Sequence, residues 1–516
     1  MKKVLCLVLA MVMALGCISM TAVADEDKTL IVSLNGDPTT FNPVLKGDDY
    51  GHLIYQNIFD GLLELNYNSE VIPGLATSWD ISEDGLVYTV HLAEGVKWHD
   101  GVDFTSEDVK YTYEKIMAEN GFIGGTLNST LEAIECPDAN TVVLKLKAAD
   151  ATLLGTLAWY EAFIIPKHIY ENAEDWSTCE AAVSAPIGTG AFKFVSYTSG
   201  VSVNLEKNPD YFKGAPAIDK LIFQIIPDST TAVQAFYNHE IDIIDGVPNS
   251  EVLAMQNNPE IKLGCISAAR RYQVICNMED ETMSKPEVRR AVALSIDREE
   301  ISAKATNGLQ APAYGFYPPF LDWAYNADAD IGERDVNKAM ELLEAAGYTK
   351  DADGYYLTLT LDVFTGGTYA ACGKVMQANL KEAGINLVLN VLEMAAWSSK
   401  VGSAGDYQLA MMAGYQGPDP DAMSKRIGTG AVMNYARYSN TRVDELLAKA
   451  RTLTTHEDRG ACYREVQAIL AEDLPIIPIV EFASYKATYT NIYGQPYIDG
   501  LTDVHDNNYS KADILE

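Results

Sequence analysis

A mixed class, α/β or α+β, is predicted for this chain, with more than one domain. Segments that alternate polar and apolar residues at period two interleave along its length with segments periodic at 3.6. Its 516 residues leave room for two to four domains at about 150 residues each. The residues are 48% hydrophobic and 21% charged, enough apolar material for large cores, which excludes wholesale disorder.

The chain opens with a segment that does not belong to the fold. Lys2 and Lys3 form a basic start, Val4 to Ile18 is an unbroken apolar run, and Ala22-Val23-Ala24 offers small residues at signal-peptidase spacing. The run falls short of the ~20 apolar residues of a membrane span, and Lys, Asp or Pro interrupts every later one. An exported protein cleaved after Ala24 is expected. Ala14-Leu15-Gly16-Cys17 resembles a lipoprotein processing box, so lipidation of Cys17 is the competing reading.

The elements follow in order. Thr29 to Leu34 alternates as a strand and runs into the turn Asn35-Gly36-Asp37-Pro38. Tyr88 to Trp98 reads as paired strands, with His99-Asp100-Gly101 as a tight turn. Thr105 or Ser106 caps a helix with acids in its first turn. Thr141 to Lys147 is a half-buried strand, and Phe192 to Tyr197 with Val201 to Glu206 forms a hairpin. Helices then dominate: Pro286 to Leu294, Val336 to Ala346, Tyr369 to Ala383, Val443 to Ala450 and Arg459 to Ala471. Ser284-Lys285-Pro286-Glu287 reads as a capping box.

Charge and motifs narrow the function. The formal charge is −34. Cleavage after Ala24 removes two lysines and no acid, leaving 36 basic against 72 acidic residues and a charge of −36. Such a surface excludes a phosphate-neutralising nucleic-acid binder and docking of the protein body on anionic lipid. Six cysteines remain, Cys136, Cys179, Cys265, Cys276, Cys372 and Cys462, too few for a disulfide scaffold and without zinc-like spacing. No cofactor or metal is expected. No GxxxxGK[ST], HExxH or GxSxG occurs. Gly188-Thr189-Gly190 and Gly428-Thr429-Gly430 start like nucleotide loops but lack a glycine at the sixth position. His99-Asp100 is read as a turn, not an acid–base pair.

Residues 73–117, PGLATSWDISEDGLVYTVHLAEGVKWHDGVDFTSEDVKYTYEKIM, resemble the signature region of extracellular solute-binding proteins of family 5, the peptide/nickel-type receptors of ABC importers. PIGTGAFKF (186–194), NPDYFKG (208–214), IIPDSTTAVQAFYNHEIDIID (225–245), VRRAVALSIDREEI (288–301), DVNKAMELLEAAGY (335–348), GPDPDAM (417–423), YSNTRVDELLAKA (438–450) and RGACYREVQAILAEDLPIIPI (459–479) continue the resemblance in order. It implies an α/β, two-lobed periplasmic-binding-protein-like fold of the class II, or cluster C, type, with an extra domain inserted in the first lobe. Carried onto this chain, residues 1–24 are a signal peptide. Lobe I comprises 25–56, 184–266 and 483–516, the inserted domain 57–183, and lobe II 267–482. Two crossings, near 264–268 and 480–484, should form the hinge.

Ligand residues are then expected on the lobe edges that face the cleft. In lobe I these are Asn35, Gly36 and Asp37. In lobe II they are Arg270, Arg271, Tyr272, Trp397, Tyr415, Gln416, Asp419 and Arg426. Alternation lets only one of Arg270 and Arg271 face the cleft, to take a ligand carboxylate in a planar fork; an ordinary ion pair is the competing reading. Tyr415 and Trp397 would stack on a flat ligand face or fill core. Peptide receptors of the family hold the peptide ammonium with an Asp in this loop. Aligned on Asp419-Pro420, that position is Gln416 here, a neutral amide, with Asp419 or Asp37 as substitutes.

The resemblance implies a non-enzymatic, monomeric receptor, periplasmic or tethered to the outer face of the cytoplasmic membrane. Its partners would be a small-molecule or peptide ligand and an ABC permease and ATPase complex, with no nucleic acid. Peptide is the default cargo; glycoside, opine-like and metal-chelate solutes are alternatives. An exported hydrolase is the runner-up class.

Overall fold

The computed structural model describes residues 27–45, 49–66, 70–119, 121, 123–159, 162–266, 270–365, 368–415, 417, 419–495, 498–499 and 508–515. The signal segment, with its cleavage and lipidation readings, lies outside the described residues.

Three sheets organise the chain. The first has seven strands in the order Ile261–Ile266, Ser484–Tyr489, Ile243–Asp245, Thr29–Leu34, Lys220–Ile225, Ser202–Lys207, Phe192–Thr198. Thr29–Leu34 lies parallel to both its neighbours, and Leu30, Val32 and Leu34 are buried beside Phe223 and Ile243. The second sheet orders Ile385–Leu392, Leu357–Phe364, Leu409–Tyr415, Arg270–Cys276, Ile476–Glu481. Helices Pro286–Ser295, Val336–Ala345, Tyr369–Glu382, Thr441–Thr452 and His456–Asp473 belong with it, close to the ranges the sequence predicts. Each of these sheets mixes parallel and antiparallel pairs.

The third sheet is antiparallel, in the order Ala76–Ile81, Val87–Leu92, Thr141–Leu146, Leu131–Asp138. Tyr88, Val90, Leu92 and Trp98 are core here, with Trp79 packed against them. The expectation that 88–98 folds on itself as paired strands is corrected. Val87–Leu92 pairs instead with Ala76–Ile81 and Thr141–Leu146, because Gly95, at φ +74°, turns the chain into a single bridge between Lys97 and Asp103. The helix Ser106–Ala118 starts as expected: the Asp108 carboxylate accepts the Thr105 N–H at 2.9 Å. The capping box at 284–287 is not formed. Asp280 takes the Thr282 and Met283 amides at 2.9 Å, and the Ser284 hydroxyl donates to the Glu281 carbonyl.

The chain passes between the first and second sheets twice. Ile266 is paired with Ser484 on one side and Arg271 with Glu481 on the other. The Phe482 N–H donates to the Arg270 carbonyl at 2.9 Å within the passage. Antiparallel strand pairs therefore flank the passage on both sides, Ile261–Ile266 with Ser484–Tyr489 and Arg270–Cys276 with Ile476–Glu481.

The third body is seamed to the first around Gly188 and Gly190, which press on the end of the helix Asp49–Ile58 in the first body's core. A Cβ on Gly188 would stand 1.8 Å from the Ile58 carbonyl oxygen, and one on Gly190 would stand 2.6 Å from the Asn57 carbonyl oxygen. This explains the Gly-Thr-Gly sequence without a nucleotide. The Asp60 carboxylate accepts hydrogen bonds from Thr189 and Tyr211 at 2.8 Å each, and burial pushes its pKa up. Lys213 bonds the buried Glu64 at 2.6 Å.

His99 completes the seam. Its Nε2 meets the Gly190 carbonyl at 2.9 Å, and its Nδ1 accepts the Gly188 N–H at 3.3 Å. These partners assign the neutral Nε2–H tautomer, and burial holds the ring's pKa down at about 4. The second proton has no acceptor, since an N–H already points at Nδ1. The stability contributed by the neutral ring is complete above the ordinary value of 6.5 and is lost as pH falls toward about 4. Thermal unfolding between pH 7 and 4.5 should therefore fall more steeply for the native protein than for His99→Gln. The ceiling is about 1.4 kcal/mol per pH unit for a fully shielded ring, and less for this half-buried one. Parallel curves would show that the ring titrates normally.

Candidate ligand-binding cleft

The two crossings define which strand ends face each other. On the first sheet they are the end of Thr29–Leu34, with Asn35 to Asp37 beyond it, the end of Ile243–Asp245 and the start of Ser484–Tyr489. On the second they are the start of Arg270–Cys276 and the ends of Leu409–Tyr415 and Leu357–Phe364.

On the first edge Asn35 is exposed, beside Gly246. Gly36 lies under the Tyr50 ring, where a Cβ would come within 2.6 Å. Asp37 is half-buried and engaged within the fold through one carboxylate oxygen. Its Oδ1 accepts the Gly200 N–H at 2.8 Å and the Tyr197 hydroxyl at 2.7 Å, and these bonds, the Gly200 amide first, hold its carboxyl below the usual range. It ties the turn after the first strand to the tip of the 192–207 hairpin.

The second edge brings four of the expected residues together. Arg270 pairs through its backbone with Tyr415, and its guanidinium lies over the Phe482 ring at 5.6 Å. Arg426 is 7% exposed, with Nη1 3.8 Å from the Met412 sulfur. Burial lowers its pKa, and the nearby Arg270 charge lowers it further, so two guanidinium groups share one neighbourhood. Tyr272 stands edge-on to Tyr369 at 4.9 Å, with Phe482 at 6.1 Å. The side chain of Tyr415 and the whole of Gln416 lie outside the described residues.

Three expectations on this edge are corrected. Arg271 is 1% exposed and bonds Glu481 at 3.0 Å and the Gly315 carbonyl. Burial pulls its pKa down and pushes that of Glu481 up, each opposed by the partner's charge. Its strand lies between two others and is buried along nearly all its length, so alternation does not expose one face. Trp397 is core: it packs on Phe364 at 4.5 Å and Tyr435 at 5.8 Å, 3% exposed. Asp419 bonds Arg459 at 2.8 Å and accepts the Asp421 N–H at 2.8 Å. Burial raises its pKa and Arg459 opposes the rise. This carboxylate holds its own loop.

Phe482 and Tyr369 were missed. Phe482 sits in the predicted crossing, so an aromatic at a hinge was the available signal; Tyr369 opens a helix and carries none. Among the described residues, no group of three or more His, Cys, Asp and Glu gathers as a metal site, and no helix is long and apolar enough to cross a membrane.

The Asp419–Arg459 pair yields a direct check. Arg459→Ala leaves a buried carboxylate unpaired and should destabilise the protein by about 3–5 kcal/mol in urea unfolding without any solute. A variant of native stability would mean that Asp419 is not held by the fold.

Comparison with known proteins bears on the family and the fold. Residues 70–435 match the model of the bacterial extracellular solute-binding proteins, family 5 middle region. The chain is similar to an oligopeptide-binding protein, AppA, of Bacillus subtilis: 28% identical, over 91% of this chain and 89% of that protein. The ABC transporter substrate-binding protein CtaP of Listeria monocytogenes superposes with a TM-score of 0.86 at 27% identity, over 95% of this chain and 100% of that one. The binding protein AgaA of A. tumefaciens R10, solved with agropinic acid, gives 0.77 at 28% identity, over 95% and 99%. The match spans most of the chain, and its fold is the two-lobed α/β fold of these neighbours. The chain belongs to the bacterial extracellular solute-binding proteins of family 5.

Proposed function

We propose that this protein is the non-enzymatic, substrate-capturing component of an ABC importer, which closes its two lobes on an extracellular peptide or peptide-like solute and delivers it to a membrane permease. The relative from B. subtilis is an oligopeptide-binding protein, and this supports peptide as the cargo class. In this reading lobe I is 25–56, 184–266 and 483–516, the inserted domain 57–183 and lobe II 267–482. Processing after Ala24 releases the mature form, or lipidation of Cys17 tethers it.

The observation that carries the ligand chemistry is the neighbourhood of Arg270 and Arg426 at the hinge edge of lobe II. Two guanidinium groups in one neighbourhood can present planar forks to a ligand carboxylate. The acids expected to take a ligand ammonium, Asp37 and Asp419, are occupied within the fold, and Gln416 is neutral. Recognition therefore relies on a ligand carboxylate more than on a ligand amine. AgaA, solved with agropinic acid, supports a small opine-like acid as the second reading, and the same arginine pair would serve it.

Mass spectrometry of whatever co-purifies in the cleft, with a search for turnover products, tests the class. A bound, unaltered solute is expected; product formed from it would favour a hydrolase. Titration calorimetry tests the chemistry. Arg270→Ala and Arg426→Ala should each weaken binding of a matched peptide by roughly 2–5 kcal/mol, and Gln416→Ala by about 0.5–1.5 kcal/mol. N-acetylation of the peptide should cost little. If acetylation abolishes binding while both arginine variants bind normally, the protein is an amine-anchored receptor instead.

A further inference from the structure

The inserted domain also touches lobe II, far in sequence from the crossings. The turn at 147–152 lies between the strand Thr141–Leu146 and the short helix Leu153–Leu157. It meets the C-terminal end of the helix Thr441–Thr452. There the Ala151 N–H donates to the Arg451 carbonyl at 2.8 Å. The last four carbonyls of a helix have no partner within it. The Arg451 carbonyl is one of them, and it is satisfied from another domain. The neighbouring Ala450 carbonyl takes Nε of Arg459 at 3.1 Å.

The turn that supplies the amide is held firmly. The Asp150 carboxylate accepts the Thr152 N–H at 3.0 Å and its hydroxyl at 2.7 Å, and the Thr130 hydroxyl at 3.1 Å. The Tyr88 hydroxyl donates to the Asp150 carbonyl at 3.2 Å. On the other side the Arg451 side chain reaches Asp421 at 2.6 and 2.9 Å and Ser424 at 3.0 Å. Arg459 holds Asp419. The helix end that receives the inserted domain thus also fixes 419–424, the continuation of the loop expected to touch solute.

We propose that the seat of Ala151 on the Arg451 carbonyl is a closure latch, an intramolecular interface that holds lobe II against the inserted domain and couples that closure to the 419–424 segment. The inserted domain is bonded to lobe I through His99 on Gly188 and Gly190 and through Glu64 on Lys213, so rotation about the crossings would separate the Ala151 amide from the helix end. The inference depends on the two-lobed fold and not on which solute is bound.

Small-angle scattering on the full mature chain tests it, both as purified and after stripping by unfolding and refolding. Ala151→Pro removes the donor; Ala151→Gly keeps it. The proline variant should show a larger radius of gyration than the native protein in at least one of the two states, with the glycine variant matching the native protein. Release of the co-purified solute should be about 2- to 10-fold faster in the proline variant, the effect of one net hydrogen bond. Three proteins of equal size in both states would overturn the latch. Should Ala151→Pro fail to fold, hydrogen exchange of the native Ala151 amide decides. Slower exchange in the solute-bound than in the stripped protein supports the latch, whereas equal protection makes the contact a permanent part of the fold.

Discussion

The paired crossing between the two large sheets is the constraint on which the rest of the molecule depends. Ile266 faces Ser484, the Phe482 N–H bonds the Arg270 carbonyl, and Arg271 faces Glu481. Because the chain leaves the first sheet after Ile266 and returns to it at Ser484, both passages lie side by side and what lies between them packs around the second sheet. The second sheet and its helices therefore form a complete domain suspended from the first. A single strand would leave that domain free to swivel; two restrict it to bending about one axis. The same passage places Arg270 and Phe482 at the root of the cleft.

Local signals made much of this fold legible. Thr29–Leu34 alternates and is a strand, Asp108 follows Thr105 at capping distance and the helix starts there, and five helices of the second body lie within a few residues of their expected ranges. Failures occurred where a distant partner decided the outcome. Tyr88 to Trp98 contains enough apolar residues for two strands, yet its first half bonds to 76–81 and 141–146 and its end to 102–104. At 284 the Ser284 N–H that a capping box would use donates instead to the Asp280 carbonyl at 2.8 Å.

Charged site residues were hardest to place, for one physical reason. A sequence shows that a charge exists but not what compensates it. Arg271 is answered by Glu481, over 200 residues away, and Asp419 by Arg459. In both pairs the partner's charge opposes the effect of burial. Trp397 met the same fate through packing, since Phe364 and Tyr435 enclose it. The common neighbourhood of Arg270 and Arg426 is likewise a property that no spacing along the chain displays.

The glycines of the seam fix how closely separate parts of the chain approach. Gly188 and Gly190 press so closely on the Asn57 and Ile58 carbonyls that no side chain fits between, and His99 of the third body bonds both glycines from the other direction. A side chain at either position would push the helix Asp49–Ile58 away on one side and break the His99 bonds on the other. Two residues without side chains thus hold a helix and a separate sheet in place together, and a single substitution there would loosen both at once.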